Sequence, residues 1–138
     1  TLTDAASIAT WREDVVALRQ RADVVIASLH WGYQREVLQY QREFAHAAVD
    51  AGADIVFGHG PHVILPVERY RGKAIFYGVG NFSFQMAHQG ERHDDWVGMM
   101  VRVAIERAQG RAQVGDITLA FTQRNNARRC WQRPPSAC

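Results

Sequence analysis

Cysteine is nearly absent from this chain, and the two residues present, Cys130 and Cys138, both lie in its polar end. They allow at most one small disulfide loop and offer no second pair of the kind a cysteine-rich zinc module needs. An excess of charge of one sign is lacking too, since sixteen Lys and Arg face fourteen Asp and Glu for a formal net charge of +2. That balance gives no argument for nucleic acid or an anionic membrane as a partner. No apolar run approaches the length needed to span a bilayer. The first residues, Thr1-Leu2-Thr3-Asp4, include no initiator Met and none of the basic and apolar segments of a secretion signal. The expectation is that the chain is processed or is a piece of something longer, so this absence says little about the compartment of the parent. What remains is ordinary: 138 residues, 47% apolar and 22% charged, enough for one domain with a buried core.

Thr10-Trp11-Arg12-Glu13 has the form of a capping box, in which the Thr side chain accepts from the amide three residues on and the Glu reaches back, so a helix is expected to start there. Trp11, Val15, Leu18 and Ala22 share one face at helical spacing, and the helix is expected to end near Asp23. Val24 to Leu29 is an almost unbroken apolar run, the pattern of a parallel strand covered on both faces, and it delivers His30-Trp31-Gly32. Helical periodicity returns from Arg35 to Ala51, with Val37, Tyr40, Phe44, Ala48 and Ala51 on one side and Gly52 as the C-terminal cap. His46 lies off that stripe and reads as a solvated helix-face residue. Asp54 to Phe57 begins a second buried strand, broken at Gly58 and followed by His59-Gly60-Pro61-His62.

Downstream, Val67 to Tyr70 and Ala74 to Tyr77 look like two strands around a turn at Gly72, the second ending in Gly78-Val79-Gly80-Asn81-Phe82. The glycines there imply close backbone approach. Alternating Val97, Met99, Val101, Val103 and Ile105, then Ile117, Leu119 and Phe121 beyond Gly110, predict an antiparallel hairpin. The stretch with His88, His93, Asp94 and Asp95 reads chiefly as a solvated loop, the alternative being a lid over a site. From Arg124 the sequence is polar and basic, with Arg128, Arg129 and Arg133, and is expected to fray, although an arginine cluster can also bind phosphate. The expected organisation is one domain over 1–123 and a tail over 124–138.

A strand-helix-strand unit has parallel strands that are often direct neighbours, about 4.8 Å apart. His30 leaves the C-terminal end of the first strand as His59 leaves that of the second, which brings His30, His59 and His62 to one edge of the sheet. In open α/β sheets that edge is where ligands bind. Imidazole is the commonest side-chain metal ligand, so the three are candidate metal ligands, and the competing reading is that they hydrogen-bond within turns. Asn81 offers a carbonyl oxygen or an amide to the same edge, or serves only its own turn.

Three motifs in order, Ser28-Leu29-His30-Trp31-Gly32, Gly52-Ala53-Asp54-Ile55-Val56-Phe57-Gly58-His59-Gly60-Pro61-His62-Val63 and Gly80-Asn81-Phe82, resemble the bacterial CapA family of capsule and poly-gamma-glutamate synthesis proteins. The resemblance runs from about Asp23 to Phe84. That family is similar to the calcineurin-like metallophosphoesterases, so the resemblance implies an α/β fold, a metallophosphoesterase-like layered sandwich, here incomplete: a βαβ unit followed by antiparallel hairpins. It implies that His30 matches a lone histidine late in the family pattern and that His59 and His62 match the closing pair. It also implies two divalent metal ions in the complete site, with Mn, Fe and Zn undistinguished, a phosphoester or envelope-polymer substrate, and a cell-envelope or extracytoplasmic setting. Some family members carry another histidine at the position of Gly60.

The family's opening Gly-Asp motif and its Asn-Asn-His motif are not in this chain, since Asn125-Asn126 is followed by Ala127 and comes after the other motifs. The expectation is therefore the C-terminal part of a domain whose missing N-terminal portion supplies the bridging carboxylate. Such a part alone is expected to bind at most one divalent ion, weakly, and to show no phosphoesterase activity. Glu68 and Asn81 are the candidates to orient an imidazole from behind. Competing readings are a non-catalytic envelope scaffold or polymer-binding component, and an inactive fragment.

Overall fold

The sequence-predicted strand-helix-strand unit is formed by β1 (Ile26–His30), α2 (Gln39–Ala51) and β2 (Ile55–His59), preceded by α1 (Ala5–Arg19). After it come β3 (Val67–Tyr70), β4 (Lys73–Phe76), β5 (Val97–Ala108), β6 (Arg111–Arg124) and β7 (Trp131–Gln132). The structure, a computed structural model, describes residues 4–32, 35–82, 97–124 and 131–132. β1, β2, β4 and β3 lie side by side in that order, the first three parallel and β3 antiparallel to β4. β5, β6 and β7 make a second, antiparallel sheet. The fold is thus mixed α/β, a parallel unit followed by antiparallel hairpins, as expected. No described helix is long and apolar enough to cross a membrane.

Two layers sandwich the four-stranded sheet, and strand alternation decides which residue meets which. On the helix side Val25, Ala27, Val56, Ile75 and Tyr77 pack with Val15 of α1 and Ala45, Ala48 and Val49 of α2. On the other side Ile55 and Phe76 pack with Met99 of β5, joined by the partly buried Phe57, Val101 and Ile117. The β5–β6 hairpin turns at Gln109 and Gly110, both left-handed with φ of 51° and 82°, the backbone that a two-residue hairpin loop requires. Its turn end is tied to the start of β1, where Asp23 accepts from the Ala112 amide at 3.1 Å and meets Arg111 at 3.3 Å.

α1 starts earlier than the Thr10 pattern predicts. Asp4 is its N-cap, accepting from the Ser7 amide at 2.8 Å, and that bond holds the carboxyl below its ordinary value. A charged cap at Asp4 satisfies the first free amides, and Thr10 then falls inside the helix with its hydroxyl donating to Ala6 O. α2 starts later than predicted and ends as predicted, with Gly52 left-handed at φ 114°. Asp54, just before β2, ties the layers together. Its carboxylate accepts from Arg19 at 2.6 Å, Lys73 at 2.7 Å and the Val25 amide at 3.0 Å.

Within the stretch expected to be a frayed tail, Trp131–Gln132 pair with Gln123 and Arg124 as β7. Arg124 ends β6, and the other residues of that stretch, Cys130 and Cys138 among them, lie outside the described residues, as does the stretch with His88, His93, Asp94 and Asp95.

Candidate functional site

The parallel register sets His30 directly opposite His59, the last matched pair of β1 and β2. Both rings stand on the face opposite the helices, exposed, with centroids 5.0 Å apart in an edge-to-face arrangement. Ser28, two residues back on the same face of β1, places its Oγ 3.4 Å from His59 Nε2. Gly60 follows with φ 118°, and a Cβ there would fall 2.9 Å from the His30 ring and 2.7 Å from Trp31 O. The loop can pass this close to His30 only because it carries no side chain at that position.

His62 is also left-handed, at φ 61°, a conformation uncommon for a non-glycine residue. Its geometry is fixed by Asn81 through two bonds. Asn81 Nδ2 donates to the His62 backbone carbonyl at 3.1 Å, which orients the amide, and Asn81 Oδ1 then faces His62 Nδ1 at 2.8 Å. A carbonyl oxygen can only accept, so Nδ1 bears a proton, which in the neutral ring makes Nε2 the acceptor nitrogen. Asn81 itself is placed by tight crossing of two strands: a Cβ on Gly80 would lie 2.5 Å from Val97 O, and one on Gly98 2.4 Å from Asn81 O. The close approach expected from the glycines before Asn81 is therefore with β5.

Glu68 does not join this group, and the role anticipated for it is corrected here. Alternation along β3 puts Glu68 on the helix side with Tyr70, whereas His30 and His59 occupy the other face. Its carboxylate accepts from Tyr77 Oη at 2.6 Å and meets His46 Nε2 at 2.9 Å, with Arg42 at 3.6 Å. Burial pushes the Glu68 carboxyl up, but the Tyr77 and His46 hydrogen bonds outweigh it and leave it lowered. Burial, and then Glu68, push the Tyr77 hydroxyl well above its ordinary value.

His46 is likewise not a solvated histidine: its ring lies flat on Tyr70 at 3.9 Å, and Tyr70 Oη donates to Asp50 at 3.4 Å. Arg42, His46 and Asp50 recur every four residues on α2, a second, polar stripe whose regularity was the signal for this cluster.

His30 and His59 are thus paired at the C-terminal ends of β1 and β2, and His62, on the loop that follows β2, is bonded to Asn81. Among the described residues no three His, Cys, Asp or Glu side chains converge closely enough to hold a metal ion. The donor set suits a divalent ion in kind, being neutral-capable imidazole with one tautomer already chosen, and is short of a complete site in number and in anionic charge.

Comparison with known proteins bears on this edge. The chain is 48% identical over 68 residues to the PGA biosynthesis protein CapA of Bacillus subtilis (strain 168), an alignment covering 48% of this chain and 18% of the relative. It is 46% identical over 65 residues to the capsule biosynthesis protein CapA of Bacillus anthracis, covering 46% and 16%. A probable polyglutamine synthesis accessory protein of Mycobacterium tuberculosis (strain ATCC 25618 / H37Rv) is 42% identical over 69 residues, covering 49% and 18%. The aligned part spans less than a fifth of each of these relatives. The family described as bacterial capsule synthesis protein PGA_cap matches residues 3–86, more than half of the chain and every one of His30, His59, His62 and Asn81, and the chain belongs to that family.

Proposed function

We propose that this chain carries the imidazole-bearing part of a divalent-metal site in a protein of capsule or poly-gamma-glutamate biosynthesis, working at the cell envelope. The completed site is metallophosphoesterase-like and acts by hydrolysis or transfer at a phosphoester-like centre. The observation that carries this reading is the in-register His30–His59 pair at the sheet edge, with the Asn81-fixed His62 on the loop that follows. Divalent ions held by these imidazoles would supply Lewis-acid chemistry, lowering the pKa of water and offsetting charge at a phosphoester-like centre. In this chain His30 and His59 supply nitrogen donors on one exposed face, and Asn81 holds a proton on His62 Nδ1 so that Nε2 is the nitrogen able to ligate. The substrate is a phosphoester or an envelope polymer; the relatives' names, which mention PGA, capsule and polyglutamine synthesis, support the polymer alone. A second reading, a non-catalytic scaffold or polymer-binding component, is favoured by one observation: no third donor joins the pair among the described residues.

Calorimetric titration of Mn²⁺ or Zn²⁺ into the 138-residue chain tests the proposal. The expected result is at most one equivalent bound, weakly, lost in His59→Ala and weakened on acidification because imidazole must be neutral to ligate. Failure to bind either ion, or binding indifferent to His59→Ala, would favour the scaffold reading. Tight binding of two equivalents would overturn the ligand assignment and move it toward His88, His93, Asp94 and Asp95.

A further inference from the structure

Trp31 follows His30 at the end of β1, and its contacts reach across three strands. Its amide donates to His59 O at 2.8 Å, extending the β1–β2 ladder by one bond. Its indole is buried, at 7% exposure, on the helix side of the sheet, and Nε1 donates to Tyr77 O at 3.0 Å just past β4. β2 lies between those two strands, and at the crossing its residue is Gly58. A Cβ there would fall 2.2 Å from Trp31 Nε1 and 2.4 Å from Tyr77 O, so the indole and its hydrogen bond occupy the space that a side chain would fill. The rings of Trp31 and Tyr77 stack at 6.0 Å and 23°.

His59 is therefore held from both sides. Gly58 before it lies under the indole, and Gly60 after it lies against Trp31 O and the His30 ring. Any buried indole N–H needs an acceptor, but here the acceptor is a carbonyl two strands away, reached only because the strand between carries a glycine at the crossing. We infer that Trp31 is a positioning residue for the His30–His59 pair: its indole braces β1 to β4 across Gly58 and so sets the two imidazoles edge to face on the opposite side of the sheet. The inference rests on the metal-site reading for its purpose and stands on the geometry above for its existence.

Two variants and three readouts test it. Trp31→Phe removes the donor and part of the ring. Replacement of residue 31 alone by benzothienylalanine keeps the bicyclic shape and replaces N–H by sulfur, which guards against a variant that merely fails to fold. In the metal-free chain, the nuclear Overhauser effect between the His30 and His59 rings reports their contact, and urea unfolding reports stability separately. The expected result is a ring-to-ring effect in the wild type that is lost or reduced severalfold in the folded isostere. Affinity for Zn²⁺ should weaken by about tenfold, the usual scale for groups that support a ligand from behind. An isostere that keeps both the ring contact and the wild-type affinity overturns the brace and leaves the metal reading standing. If the wild type binds no Zn²⁺, the metal reading falls and the ring contact alone decides the brace: lost in the isostere supports it, retained overturns it.

Discussion

Replacing Asp54 should cost more than any other single polar substitution among the ion pairs described, because one carboxylate joins α1, the start of β1 and the start of β4. Its side chain is 12% exposed and accepts three bonds, from Arg19, Lys73 and the Val25 amide. Asp54→Ala leaves the amide of Val25, a buried residue, without its acceptor, at about 1–3 kcal/mol for an unsatisfied buried group. The two cations are 29% and 42% exposed and can rehydrate, so the full penalty of a broken buried pair is not reached; each adds about 0.5 kcal/mol. The sum is about 2–4 kcal/mol, a fall in Tm of about 6–20 °C for a chain of this size. Asp54→Asn keeps an acceptor for the amide and should cost about 1 kcal/mol. The pH dependence has a definite sign. Burial raises the Asp54 carboxyl, and the bonds from Lys73, Val25 and Arg19 more than reverse this, so its folded pKa is lowered. A lowered folded value contributes stability above the unfolded value of about 3.9, lost as pH falls through the folded one. Urea unfolding followed by circular dichroism should show the gap between wild type and Asp54→Ala constant from neutral pH to about 5 and closing below 4. A gap under about 0.5 kcal/mol at pH 7, or one that widens on acidification, would refute the account.

The His46–Glu68 contact should give a coupling of about 1 kcal/mol in a double-mutant cycle of His46→Ala and Glu68→Gln, and a coupling near zero would show the 2.9 Å bond to be energetically idle. Because the Glu68 pKa is lowered, its contribution should also disappear as pH falls through its folded value. Asn81→Ala should release His62 from its Nδ1-protonated tautomer, read from the ring ¹⁵N shifts, and an unchanged tautomer would mean that the amide does not choose it.

The main architecture was legible because its signals were redundant. An apolar run, a helical stripe ending in Gly52 and a second apolar run specify a parallel pair, and the His30–His59 register follows from both strands ending at a histidine. Boundaries were legible only where one cap dominates: Gly52 marks an end that only a left-handed residue fits, whereas Asp4 and Thr10 are two plausible caps for one helix. Glu68 was misplaced for a different reason. Glu68 lies close to the histidine loop along the chain but not in space, and the alternation of Glu68 and Tyr70 against Val67 and Arg69 assigns Glu68 to the face of Tyr70. His46 reads as solvated when only the apolar stripe of its helix is followed; the polar stripe of Arg42, His46 and Asp50 is the one that meets Glu68 and Tyr70.

That parity has a consequence for how the two sides of the sheet communicate. His46, Glu68, Tyr77 and the Trp31 indole form a continuous chain of contacts on the helix side, and His30 and His59 project from the other. No side chain passes through a sheet, so a change at His46 or Glu68 can reach the imidazoles only through the backbone of the strands. The shortest such route is Tyr77 O to Trp31 Nε1, then from Trp31 through the main chain to His30 and the carbonyl of His59. Substitutions on opposite faces should therefore add in their effects on stability, as separated sites do, except where Trp31 or Gly58 is one of the pair. The two glycines flanking His59 are what makes this exception possible: each withholds a side chain where strand or indole must come within van der Waals distance, so a tightly constrained backbone lies beneath the exposed His30–His59 pair.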